Sequence, residues 1–85
     1  MDYIYMNKLS YYDDNSRRIQ FTILTKIKYS TYDIEKLLFF DYVDYLREHP
    51  SKKVSKNNII KFLNECGIEC VNRAYHKNKK NGKGI

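Results

Sequence analysis

The chain has no tryptophan, a single proline, two cysteines and three glycines. Each scarcity removes a class of function. The glycines are Gly67, Gly82 and Gly84. They are too few and too late in the chain for a P-loop, a dinucleotide fingerprint or a nucleophile elbow. Gly82-Lys83-Gly84 lacks the preceding strand and the glycine spacing that cradle phosphates. Cys66 and Cys70, even with His49 or His76 added, match no strong zinc spacing, because a structural site needs four ligands. The pattern instead predicts a buried, hydrophobe-like Cys66 and an incidental Cys70. A disulfide is not expected in a reducing compartment.

Other absences point the same way. No apolar run approaches the roughly 20 residues needed to cross a bilayer. The start, MDYIYMNK, has neither the basic nor the apolar region of a signal peptide. The expectation is a soluble, cytoplasmic protein with no membrane contact. Nowhere do a nucleophile, a base and an orienting partner fall together. Asp41 and Asp44 stand three apart on one helix and read as a solvated acidic face. His49 reads as a cation at a helix C-terminus. The expectation is a non-enzyme with no metal and no cofactor.

What is present is tyrosine, lysine and an asymmetry of charge. Nine Tyr and four Phe in 85 residues supply one small core, near the lower size limit for independent folding. Much of that apolar surface carries a hydroxyl that needs water or a partner. Residues 1 to 50 hold seven Lys/Arg against eight Asp/Glu, a net of −1; residues 51 to 85 hold nine against two, a net of +7. Together they make the whole-chain +6. A neutral scaffold with a basic C-terminal part is the distribution expected of a polyanion-facing protein.

Local structure is most sharply written in Ser51 to Ile68. Ser55 can cap a helix, since its hydroxyl accepts from an otherwise unpaired backbone N–H. Ile59, Phe62, Leu63 and Cys66 then recur at helical spacing on one stripe. Gly67 fits the left-handed stop, with Ile68 folding back as its apolar partner. This predicts a helix over 55–66.

Upstream, 2–11 and 18–28 favour strands, with Ile19, Phe21 and Ile23 on one face and Gln20 and Thr22 on the other. The Asp/Asn/Ser cluster around Asp13–Ser16 predicts a hairpin turn. Leu24 and Ile27 fall out of phase, which points to a bulge or a change of face. Ser30 and Asp33 form a weak capping box for a core helix over 32–48, ended by His49-Pro50. On its wheel Phe39 joins the core side, while Leu37 and Phe40 fall on the opposite side among Asp33, Asp41 and Asp44, where the basic second helix or the hairpin is expected to cover them. After Gly67 a short β-permissive segment carries Val71, Arg73 and Tyr75, and 77–85 reads as a mobile basic tail. The expected fold is α+β in one domain, 1–85: an N-terminal hairpin, two helices and a short C-terminal strand.

A helix ended by Pro50, a short basic connection, then Val54-Ser55, Ile59, Ile60, Leu63 and Gly67-Ile68 leading into a Lys/Asn/Gly-rich stretch resembles a winged-helix or helix-turn-helix module. It looks most like the small C-terminal DNA-binding modules of phage and plasmid replication helicases. The resemblance covers 34–85. It departs from the family in having two helices before the wing and no returning strand. It implies that helix 55–66 presents Lys56, Asn57, Asn58 and Lys61 to a groove, where asparagine can bond an adenine edge. It also implies that Lys52, Lys53, Arg73, Lys77, Lys79, Lys80 and Lys83 neutralise phosphates. Tyr75 beside these cations is the ring that a single-strand binder would stack on.

A different expectation comes from composition. Small Tyr/Lys/Asn-rich chains occur among phage-type inhibitors, anti-CRISPR proteins included, and among accessory subunits. Such a protein would bind a protein partner through Leu37, Phe40, Asp41 and Asp44.

Overall fold

Alternation of apolar and polar residues makes two eight-residue strands, β1 (Tyr5–Tyr12) and β2 (Arg18–Thr25). The computed structural model describes residues 2–74. Tyr75, Lys77, Lys79, Lys80 and Lys83, and the rest of the expected tail, lie outside the described residues. The strands pair antiparallel with Tyr12 opposite Arg18 and Tyr5 opposite Thr25. Asp13 closes the hairpin: its carboxylate accepts from the Asn15 and Arg17 N–H groups at 2.9 and 2.8 Å. Ser16 takes a left-handed φ of 62°, a conformation an L-residue adopts only at some strain.

β2 ends earlier than the sequence pattern indicates. The buried Thr25 hydroxyl donates to the Ile27 carbonyl at 2.7 Å, turning the chain so that Ile27 is exposed. Leu24 is buried without a bulge. It sits on the outer face of the sheet, between Met6 of β1 and Val71 of β3 (Cys70–Asn72). β3 pairs antiparallel with β2, giving the order β1-β2-β3. β2 is therefore central, but β3 reaches only Ile23, Leu24 and Thr25.

The helical stretch after the hairpin starts where expected. Ser30 accepts from the Asp33 N–H at 3.1 Å and opens α1 (Thr31–Lys36). Asn7, buried in β1, donates to the Tyr29 carbonyl and the Thr31 hydroxyl and so ties α1 to the sheet. The stretch is not one regular helix. Leu37–Asp41 forms a wide turn, with the Tyr42 N–H bonded to the Leu37 carbonyl five residues back. α2 (Tyr42–Glu48) follows.

An extra residue in a turn rotates everything downstream of it. The wheel expected Leu37 outside and Phe39 in the core, and the structure reverses them. Leu37 is half-buried against the core, whereas Phe39 is 47% exposed, with one ring contact to Tyr11 at 5.6 Å. Phe40, expected to be covered by the second helix or the hairpin, is 65% exposed.

α2 ends at His49, whose N–H and Nδ1 both bond the Tyr45 carbonyl. Since a carbonyl only accepts, Nδ1 carries a proton there. α3 (Lys56–Glu65) is capped by Ser55, which accepts from the Asn58 N–H at 3.1 Å. It closes with Gly67 at φ 95° and the Ile68 N–H bonded to the Leu63 carbonyl. That is the left-handed stop written in the sequence. Helix 55–66 thus forms as expected, except that Cys66 caps its end and is exposed. Cys70 is the buried thiol, the reverse of the sequence expectation.

The result is an α+β domain of two layers. α1 contacts β1, and α3 contacts β2 and β3, all on the inner face of the sheet. Ile34, Leu38 and Tyr42 meet Leu9, Tyr11 and Ile23 there, and Ile59 and Leu63 of α3 complete the core. Each such side chain contributes roughly 1.5–3 kcal/mol by leaving water. No helix among the described residues is long and apolar enough to cross a membrane.

Candidate functional site

The short reach of β3 shapes one concave feature of the surface. Among the described residues, no strand lies beside the β3-side edge of β2 beyond Ile23. Against that edge stand the first turn of α3 and the residues that leave β3. They enclose an open cleft of about 300 Å3, lined by Gln20, Phe21, Thr22, Lys56, Asn72 and Arg73 among others. A second shallow depression of about 270 Å3, lined by Lys8, Gln20 and Thr22 among others, continues it across the sheet. Lys8, Thr22, Gln20, Arg73 and Lys56 therefore form one unbroken strip from β1 to α3.

Among the described residues the charges of this strip are uncompensated. Lys26 is paired with Glu69 at 3.2 Å and lies over the Tyr3 ring, and Arg47 is paired with Asp44 at 3.5 Å. Glu69 accordingly raises the Lys26 pKa. Lys8, Arg18, Lys56 and Arg73 have no carboxylate partner among the described residues. Unpaired cations lining a concave surface attract a polyanion by Coulomb attraction and counterion release.

The sequence-expected residues divide between two places. Lys56 and Arg73 come together at the cleft. Lys52, Asn58 and Lys61 line a separate small cavity of about 50 Å3 with Tyr42, Tyr45, Phe62 and Glu65. Lys53 and Asn57 are exposed and belong to neither. Asn58 is half-buried, and its side-chain amide donates to the Lys53 carbonyl at 2.7 Å. That amide holds the loop before α3 in place. Asp41 and Asp44 are exposed beside Phe40, but Leu37 is withdrawn into the core, so the four do not form one patch.

No group of three His, Cys, Asp or Glu side chains suited to a metal occurs among the described residues. Burial pushes the Cys70 thiol up to about 11, and burial, with Asp41 and Glu65, also raises Cys66. Neither thiol is activated toward chemistry, since the thiolate is the nucleophile.

Sequence reasoning missed Lys8, Arg18, Gln20 and Thr22 as surface residues of interest. The pattern that marks them is the polar half of two alternating strands, which also fits any solvated sheet face. No protein-family model, curated protein sequence or solved structure matches the chain.

Proposed function

We propose that this protein is a small, non-enzymatic DNA-binding accessory or regulatory protein, of the type carried by phages and mobile elements and acting in the cytoplasm. The observation that carries the reading is the convergence of Lys56 and Arg73 on one open cleft with no neutralising carboxylate among the described residues. Lys52, Lys53 and Lys61 extend the positive field around α3 and steer the approach of a polyanion. The winged-helix resemblance supports the same partner class.

The test is fluorescence anisotropy with labelled duplex and single-stranded oligonucleotides across a salt series. Micromolar or tighter binding is expected, with log affinity falling steeply against log salt concentration. Lys56→Glu with Arg73→Glu should abolish it. Absence of binding at low salt would defeat the reading.

One observation favours a second reading. Phe39 and Phe40 project adjacent rings from the wide turn, at 47% and 65% exposure. Aromatic side chains of this kind anchor protein interfaces. An inhibitor or accessory subunit would dock there, with Asp41 and Asp44 at the rim, and Phe40→Ala would then remove partner binding while leaving DNA affinity unchanged.

A further inference from the structure

Resting on the DNA-binding reading above, we propose which element enters the groove. The outward face of the distal β1–β2 ribbon, carrying Lys8, Ser10, Arg18, Gln20 and Thr22, sits in the major groove of duplex DNA and reads base edges. Lys56 and Arg73 hold phosphates at its rim.

Shape is the first argument. Because β3 pairs with Ile23, Leu24 and Thr25, the half of the sheet from Lys8 to Arg18 is, among the described residues, a two-stranded ribbon. The B-DNA major groove admits a two-stranded β-ribbon as it does a helix. Five residues per strand, Lys8–Tyr12 against Arg18–Thr22, at about 3.3 Å each give a ribbon roughly 17 Å long. Its inner face is filled, since Tyr11 packs on Tyr42 at 5.6 Å and Tyr42 on Phe62 at 4.8 Å. Among the described residues the outer face is free, and the packed rings back it.

Chemistry is the second. Register puts Lys8 opposite Thr22, Ser10 opposite Gln20 and Tyr12 opposite Arg18 on this face. None of the outward-facing strand residues is a carboxylate. Asp13, at the hairpin tip, spends its oxygen on the turn. The Arg18 Nε donates to the Ser10 hydroxyl at 2.9 Å, which fixes the guanidinium and leaves its two terminal nitrogens without a partner among the described residues. A held guanidinium fork matches the two acceptors of guanine, and a Gln amide matches adenine. The one ring among the ribbon's outward strand residues is Tyr12, at its end, so the face offers no row of rings for successive bases to stack on. That favours duplex over single strand.

α3 offers less. Its Asn58 and Asn64 amides are bonded to the protein's own carbonyls. Asn57 is left as its one amide with no side-chain bond among the described residues.

The test has two parts. In the first, the protein selects from a pool of duplexes with a randomised centre, and Arg18→Lys and Gln20→Ala are compared with Asn57→Ala. Arg18→Lys keeps the charge but removes the fork. Preference for the selected duplex over a scrambled one should fall about tenfold in Arg18→Lys and Gln20→Ala, with scrambled-duplex affinity unchanged. Preference retained in both, or lost only in Asn57→Ala, overturns the proposal. In the second, the amide NMR spectrum of the unmutated protein is followed as a mixed-sequence duplex is added. Shifts should centre on Lys8–Ser10 and Arg18–Thr22. Shifts confined to Lys56–Lys61 overturn the ribbon while leaving the DNA reading intact. No shift anywhere removes both.

Discussion

The side-chain amide of Asn64 pairs with the backbone of Cys70 as a neighbouring strand would. Its Nδ2 donates to the Cys70 carbonyl at 3.1 Å, and its Oδ1 accepts from the Cys70 N–H at 3.2 Å. The same Nδ2 also reaches the Ile60 carbonyl at 2.9 Å. This clamp fastens the end of α3 to the start of β3, and so sets where Arg73 emerges beside the cleft. Asn64→Ala is expected to lower the unfolding free energy by about 1–2 kcal/mol, because it strands two backbone groups. Asn64→Asp, which can accept but not donate, should do no better. Urea denaturation checks both, and an unchanged Asn64→Ala midpoint would mean the clamp couples nothing.

Ser55 opens α3 by accepting from the Asn58 N–H. Ser55→Ala should cost about 1 kcal/mol of stability, whereas Ser55→Asp should restore it through the same bond and the helix dipole. Equal losses in the two variants would show that Ser55 matters for something other than its cap. Circular dichroism melts distinguish the cases.

Tyr42 is 1% exposed, and its hydroxyl finds no hydrogen-bond partner among the described residues. Burial foremost, then nearby Tyr11, Tyr45 and Asp14, pushes its phenol up to about 12. Burial takes the Cys70 thiol to about 11. Both groups are neutral when protonated, and both values are raised in the folded state. The unfolded chain therefore releases these protons first as pH rises. Their contribution is complete below the ordinary thiol value of 9.0 and declines from there to about 11 for Cys70. For Tyr42 the decline runs from 10.0 to about 12. Tyr42→Phe should be as stable as the unmutated protein at neutral pH, or more stable by up to about 1 kcal/mol, since it deletes an unsatisfied hydroxyl. It should also lose less stability than the unmutated protein above pH 10.0. Urea midpoints measured across that range decide it.

Phe40 and Leu38 stand two apart on the wide turn, with opposite fates. Leu38→Ala should cost about 2–5 kcal/mol because it opens a cavity in the core. Phe40→Ala should stay within about 0.5 kcal/mol of the unmutated protein. Leu37→Ala should destabilise too, since Leu37 packs against the core. A large Phe40→Ala effect in a thermal melt would mean the ring is covered.

What the sequence determined by itself was local. The Asp13 turn, the Ser30 and Ser55 caps and the Gly67-Ile68 stop each depend on groups within five residues, so residue identity and spacing suffice to write them. The α+β composition and the inward face of Ile19, Phe21 and Ile23 were legible for the same reason. The interior of the Thr31–Glu48 stretch was not. A wide turn at Leu37 differs from a regular one by a single bond, and which forms depends on how Leu37, Phe39 and Tyr42 pack against Tyr11 and the sheet. The burial of Cys70 in place of Cys66 likewise followed from a strand pairing that no local pattern encodes. The candidate site belongs wholly to this second kind. Lys8, Gln20, Lys56 and Arg73 come from three strands' worth of chain and a helix start, and they share a surface because β3 stops at Asn72 and, among the described residues, no strand covers the rest of the β2 edge. Charge at each position was fixed by the residue, but their convergence was decided by contacts between segments far apart in sequence, where tertiary packing sets the geometry.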